Sequence, residues 1–173
     1  MEEKFLHGED HAEERNSAFQ TRRNLSSSSQ ALAYEAFDLA KLKGKNTFGA
    51  AEKLKSKKLI EQLFKDGESV SHNGFTLVYL FTPLNCLYPA QAGFSVPKKS
   101  FKHAVDRNRI KRLLREAYRL QKLPLYEKLV ADKKQVALMW VYKGREMPDY
   151  DKVQKEVQFC LKKLLWKTLW AGC

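Results

Sequence analysis

VPKKSFKHAVDRNRIKRLLREAYRL, residues Val96–Leu120, decides how the rest of the chain is read. Lys98, Lys99, Lys102, Arg107, Arg109, Lys111, Arg112, Arg115 and Arg119 stand in it against two acids, Asp106 and Glu116. Turned onto a helix from Arg107 at about 100° per residue, Ile110, Leu113, Leu114, Ala117 and Leu120 share an arc of roughly 120°, wide enough to face a core. Arg107, Asn108, Lys111, Arg112, Arg115 and Arg119 fill the opposite arc, with Tyr118 at its edge and Arg109 and Glu116 outside it. Asp106, set just before the helix, reads as its N-cap, accepting from first-turn amides at the positive end of the dipole.

A charged helix face is ordinarily a solvated one, but such faces mix signs so that side chains four apart attract. Here the spacings 107/111/115 and 108/112/115/119 hold like charges and one Asn. Each like pair costs the isolated helix a few tenths of a kcal/mol, which an external polyanion would remove. The pattern predicts a nucleic-acid face.

Charge elsewhere agrees. The 173-residue chain carries a formal +12, and such an imbalance calls for a polyanionic partner. Residues 1–46 hold 7 basic and 8 acidic residues, so the remaining 25 basic and 12 acidic residues lie in 47–173. The basic part is the predicted domain, 47–173. Residues 1–46, with SSSSQ at Ser26–Gln30 and little to bury beyond a short helix at Ala31–Leu42, read as a disordered extension. His7 and His11 are four apart there but match no zinc-protease motif, and no metal site is expected. Cys86, Cys160 and Cys173 form no CxxC pair and are odd in number, which suits reduced thiols better than a disulfide frame or zinc site. With no run long enough to span a membrane and no signal-peptide layout, a cytoplasmic location is expected.

From Phe48 onward the pattern is that of a folded domain. Ser56 opens KKLIEQLFKDG, where Leu59, Ile60, Leu63 and Phe64 recur at helical spacing before Gly67. Phe75–Phe81 reads as a strand between Asn73–Gly74 and Thr82–Pro83, Gln91–Val96 as another, and Ser69–Ser71 as a short third. The basic helix runs to about Lys122, where Pro124 reads as a stop. Gln135–Tyr142 is a buried strand, and a last helix starts at Pro148–Asp149. The order α-β-β-β-α-β-α predicts an α+β sandwich of helices on a central mixed sheet. In the last helix LKKLLWKTLW sets Trp166 and Trp170 among lysines. A membrane-surface helix has this look, but Trp at helical spacing reads first as core or edge packing.

Catalytic motifs are missing. The domain has no clustered carboxylates for metal-dependent hydrolysis, no GxxxxGK[ST] and no GxSxG. His72 reads as a turn residue and His103 as a phosphate neighbour. The sequence supports binding, with no catalytic residue in the protein.

Residues 93–119, GFSVPKKSFKHAVDRNRIKRLLREAYR, closely resemble the signature of the bacterial ribonuclease P protein family. Its core, RNRxKRxxRE after a strand and a KK pair, is matched by Arg107, Asn108, Arg109, Lys111, Arg112, Arg115 and Glu116. The resemblance extends over about 48–170 and implies the fold of the second domain of ribosomal protein S5, with a left-handed β-α-β crossover against the usual rule. It implies a protein, monomeric and one per RNA, that binds the ribonuclease P catalytic RNA and helps remove the 5′ leader of precursor tRNA. The endonuclease chemistry and Mg²⁺ would belong to the RNA, with no cofactor held by the protein alone. RNA-subunit binding would fall to Lys98, Lys99, Lys102, Arg107, Asn108, Arg109, Lys111, Arg112, Arg115 and Arg119. The leader would lie in a cleft between the first helix and the sheet, against Ile60, Phe64, Thr76 and Val78. Strand alternation admits either Thr76 and Val78 or Phe75, Leu77 and Tyr79 there, and the resemblance selects the first pair. Ile60 stands where many members have a second Phe, and Asp106 where many have a basic or neutral residue. Phe64 as plain core stays open. So do an RNA-binding role in the ribosome or its assembly, and a stand-alone nuclease, which the missing carboxylate cluster opposes.

Overall fold

Local chemistry sets the bounds of the first helix and the first hairpin. The computed structural model describes residues 46–170. The extension, its short helix, the His7/His11 pair and Cys173 lie outside them. Helix α1, Lys57–Asp66, is capped by Ser56, whose Oγ accepts from the Leu59 amide at 3.4 Å. It ends at Gly67, where an added Cβ would sit 2.2 Å from the Leu63 carbonyl oxygen. Strands β1, Glu68–His72, and β2, Phe75–Phe81, form a hairpin across Asn73 and Gly74 at φ 44° and 81°. This Asn-Gly pair is the turn whose twist matches its strands. Then follow β3, Ala90–Ser95; α2, Ala104–Gln121; α3, Leu123–Ala131; β4, Val136–Tyr142; and α4, Tyr150–Trp170.

The sheet order is β1-β2-β4-β3, with β3 parallel to β4 and the other pairs antiparallel. Both faces of β2 and β4 are covered. Phe75, Leu77, Tyr79, Leu138, Trp140 and Tyr142 meet Ile110, Leu114 and Tyr118 of α2, Leu125 and Leu129 of α3, and Val153, Val157 and Leu161 of α4. On the other face Val78, Ala137, Met139 and Val141 pack with Leu63 of α1 and with Leu54 and Leu84. The α+β sheet sandwich expected from the sequence is therefore present, with α1 on one side and three helices on the other.

Four local expectations change. The basic helix starts at Ala104, so Asp106 lies in its first turn and His103 is the N-cap residue. Asp106 still suits the dipole there. Pro124 starts a helix instead of ending one: it occupies the first turn of α3, where its missing N–H has no helical partner to lose. The buried stripe of α2 is Ile110, Leu114, Ala117 and Tyr118, while Leu120 is 40 % exposed. Trp166, expected in the packing, is 66 % exposed. Burying Ile110 or Leu114 contributes about 1.5–3 kcal/mol each. That outweighs the few tenths lost per like-charge pair on the outer face, so the core holds the arginine helix in shape.

The segment before α1 straps the edge of β3. Leu54 N donates to Ala92 O at 3.1 Å, and Ala92 N to Glu52 O at 2.8 Å. Glu52, buried, accepts from the Lys122 ammonium, from the Tyr126 hydroxyl at 2.8 Å and from the Gly49 amide at 2.7 Å. Burial lowers the pKa of Lys122, and its hydrogen bond to Glu52 works against that shift.

Candidate nucleic-acid interface

Two surfaces lie on opposite faces of the sheet. The first is the outer side of α2 with the loop before it. Lys98 and Lys99 occupy the turn after β3, and both are exposed, as is Lys102. Phe101 between them is buried, its ring 6.1 Å from that of Tyr142, which nails the loop to the core. Arg107 then ties loop to helix, donating to Phe101 O at 2.8 Å and Lys102 O at 2.7 Å.

The expected arc divides by what each side chain already holds. Asn108, Arg109 and Arg112 are exposed and Lys111 half-buried; among the described residues none of the four has a hydrogen-bonded side chain or an ion pair. Arg115 lies over the Phe94 ring at 5.7 Å. Arg119 donates to Glu116 and to the Asn46 carbonyl. The hydrogen bond from Arg119 holds Glu116 below the usual carboxylate range, so the one acid on this face is already neutralised by a neighbour. Arg109, placed outside the arc by the wheel, faces solvent because the helix is turned toward Tyr118. The result is a cationic surface of Lys98, Lys99, Lys102, Arg109, Lys111 and Arg112, with Arg107, Arg115 and Arg119 bracing it.

The second surface is beside α1. Phe64 is 55 % exposed, so it is not a core residue, and Ile60 is half-buried at the rim of the lower cluster. Thr76 and Val78 point to this side, as their pairing with Val141 and Met139 requires. They are 5 % and 8 % exposed and make a floor rather than open walls. Phe75, Leu77 and Tyr79 point to the opposite core. Sequence reasoning missed Ser69 and Ser71, which stand opposite Val78 and Thr76 in register and are exposed. Ser71 Oγ is 3.0 Å from Thr76 Oγ1. The short strand at Ser69–Ser71 is legible, but only its register against β2, Ser69 opposite Val78 and Ser71 opposite Thr76, places the two hydroxyls at this surface. Together Phe64, Ile60 and this hydroxyl row offer an aromatic face beside hydrogen-bonding groups, which suits an extended single strand.

Among the described residues no group of three or more His, Cys, Asp or Glu side chains could hold a metal ion. None of the described helices is long and apolar enough to cross a membrane.

The Ribonuclease P family model matches residues 48–165. The Ribonuclease P protein component of Chlorobaculum tepidum is 35 % identical over 129 residues, covering 69 % of this chain and 84 % of that protein. That of Nitrosococcus oceani is 49 % identical over 59 residues, 34 % of this chain and 47 % of its own. Among solved structures, the RNase P protein of Thermotoga maritima superposes with TM-score 0.49 at 21 % identity, over 65 % of this chain and 96 % of that one. With its arginine helix seated on the sheet and its sequence matched through both surfaces, the chain belongs to the ribonuclease P protein family.

Proposed function

We propose that this chain is the protein subunit of a ribonuclease P holoenzyme, docking on the catalytic RNA through α2 and its preceding loop. The observation that carries the reading is the run of exposed Arg109 and Arg112 with half-buried Lys111 between them, all three unpaired among the described residues, on a helix whose other face is locked in the core. Such a face gains from phosphates what it loses to its own repulsion. Asn108 adds directional bonding, since its amide both donates and accepts. The 5′ leader of precursor tRNA lies along α1, stacked on Phe64 and lying over Ile60, Thr76 and Val78, with Ser69 and Ser71 at the strand edge. One protein serves one RNA, in the cytoplasm.

The protein contributes position and charge to tRNA 5′ maturation and no reacting group. Mg²⁺, when bound in the holoenzyme, would be held by RNA and supply charge stabilisation for phosphodiester hydrolysis. The chain's own share is to neutralise phosphates near the docking helix and to fix the leader's path.

The test is precursor-tRNA cleavage by a bacterial ribonuclease P RNA at low Mg²⁺, with and without the purified full chain. Stimulation is expected. RNA binding without stimulation would overturn the proposal in favour of a ribosomal or assembly role, and cleavage by the protein alone would make it a nuclease.

A further inference from the structure

Helix α4 carries a basic and aromatic stripe that neither surface above uses, and the family match ends at residue 165, just before its exposed Trp166. Lys155, Phe159, Lys162 and Trp166 are spaced four, three and four apart, so they share one face. Val153, Val157, Cys160, Leu161 and Leu164 point the other way into the core. Trp166 is 66 % exposed and Lys155 and Lys162 are exposed. Phe159 is half-buried, its ring 4.1 Å from the His72 ring, with Lys163 Nζ 4.9 Å from its own centroid.

The acids near this stripe do little to balance it. Glu156 is buried and bonded to His72 and Asn73. Glu68 is paired with Lys167 at 2.8 Å on the flank, which leaves Asp151 one turn below. Among the described residues no acid pairs with Lys155, Lys162 or Lys163.

We infer that this stripe is a third RNA-binding surface, taking a single-stranded segment by stacking a base on Trp166 and pairing phosphates with Lys155, Lys162 and Lys163. A membrane surface fits less well, because an interfacial helix offers lipid its apolar half and the apolar half of α4 is spent in the core. A second copy of the chain fits less well again, since two such stripes would set lysine against lysine. A nucleic acid meets both features at once, having phosphates for the lysines and a π-face for the indole.

The experiment uses the full chain and a fluorescein-labelled uridine 12-mer, titrated over a range of salt. Trp166→Ala is expected to weaken binding about 5- to 150-fold and Trp166→Phe to restore most of it, as stacking requires. Replacing Lys155, Lys162 and Lys163 with Gln should flatten the log–log salt slope by about two. Both variants should keep the wild-type thermal midpoint, because neither touches the core. Unchanged affinity and slope in both would overturn the inference. So would unchanged RNA binding with loss of binding to phosphatidylserine vesicles in Trp166→Ala, which would make the stripe a membrane contact. Failure of the docking reading shows elsewhere, as absence of cleavage stimulation by wild-type chain, so the two outcomes are separable.

Discussion

His72 and Glu156 are 84 positions apart in the chain, and His72 Nδ1 lies 2.6 Å from Glu156 Oε2. An ionised carboxylate can only accept, so the imidazole donates, and Asn73 Nδ2 donates to the second oxygen at 2.7 Å. The hairpin turn is thereby fastened to the second turn of α4. Burial on its own would raise the Glu156 pKa, but the Asn73 and His72 hydrogen bonds outweigh it and the group lies below its ordinary value. A depressed carboxylate adds stability that is complete above the unfolded pKa of about 4.3 and is lost as pH falls through the folded value. Urea midpoints of the wild type should therefore drop more steeply below about pH 4.3 than those of Glu156→Gln.

Lys122 and Glu52 make a different kind of pair, with both side chains buried. Removing one partner strands the other charge, so Lys122→Met should cost about 3–5 kcal/mol in chemical denaturation. The double variant Lys122→Met with Glu52→Gln should recover part of that loss, because no unpaired charge is left.

On α2, Arg109 and Arg112 have no partner among the described residues, whereas Arg107 holds the loop. Changing Arg109 and Arg112 together to Ala should leave the unfolding midpoint alone and lower the salt slope of RNA-subunit binding by about two. Arg107→Ala should instead lower stability by about 1–2 kcal/mol as two carbonyl contacts are lost. Denaturation and filter binding on the same preparations distinguish them.

Phe64 is more than half exposed, so Phe64→Ala should change stability by less than about 0.5 kcal/mol. Affinity for a precursor with its leader should fall about 5- to 150-fold, with mature tRNA bound as before. Equal loss for both RNAs would remove Phe64 from the leader path.

Much of this was readable in the chain itself, where local chemistry and tertiary packing agree. Phe75–Phe81 is a strand in sequence and structure because its β-branched and aromatic run is bounded by turn residues on both sides. The first helix carries its own cap and stop. Helix α3 was illegible because Pro124 stops one helix and starts another with equal ease, and only the burial of Leu125, Tyr126 and Leu129 decides. The docking surface shows the same division. Periodicity places arginines on a face, but it cannot tell that Arg107 and Arg119 are committed to the carbonyls of Phe101, Lys102 and Asn46. Nor does the wheel place Tyr118 inward, since its tip is polar and its neighbours are arginines, yet it is fully buried against Phe94 and Trp140.

The strand order β1-β2-β4-β3 has a consequence for synthesis. β4 lies between the first hairpin and β3, yet of these four strands it is the last to be translated. Until Val136–Tyr142 leaves the ribosome, nothing joins Phe75–Phe81 to Ala90–Ser95, and the inner face of α2 has no Trp140 or Leu138 to rest on. A nascent chain at that stage presents a cationic segment without a scaffold, in a compartment crowded with ribosomal RNA. Folding thus completes only when the C-terminal third has emerged, and an early encounter with RNA would detain an unfinished protein.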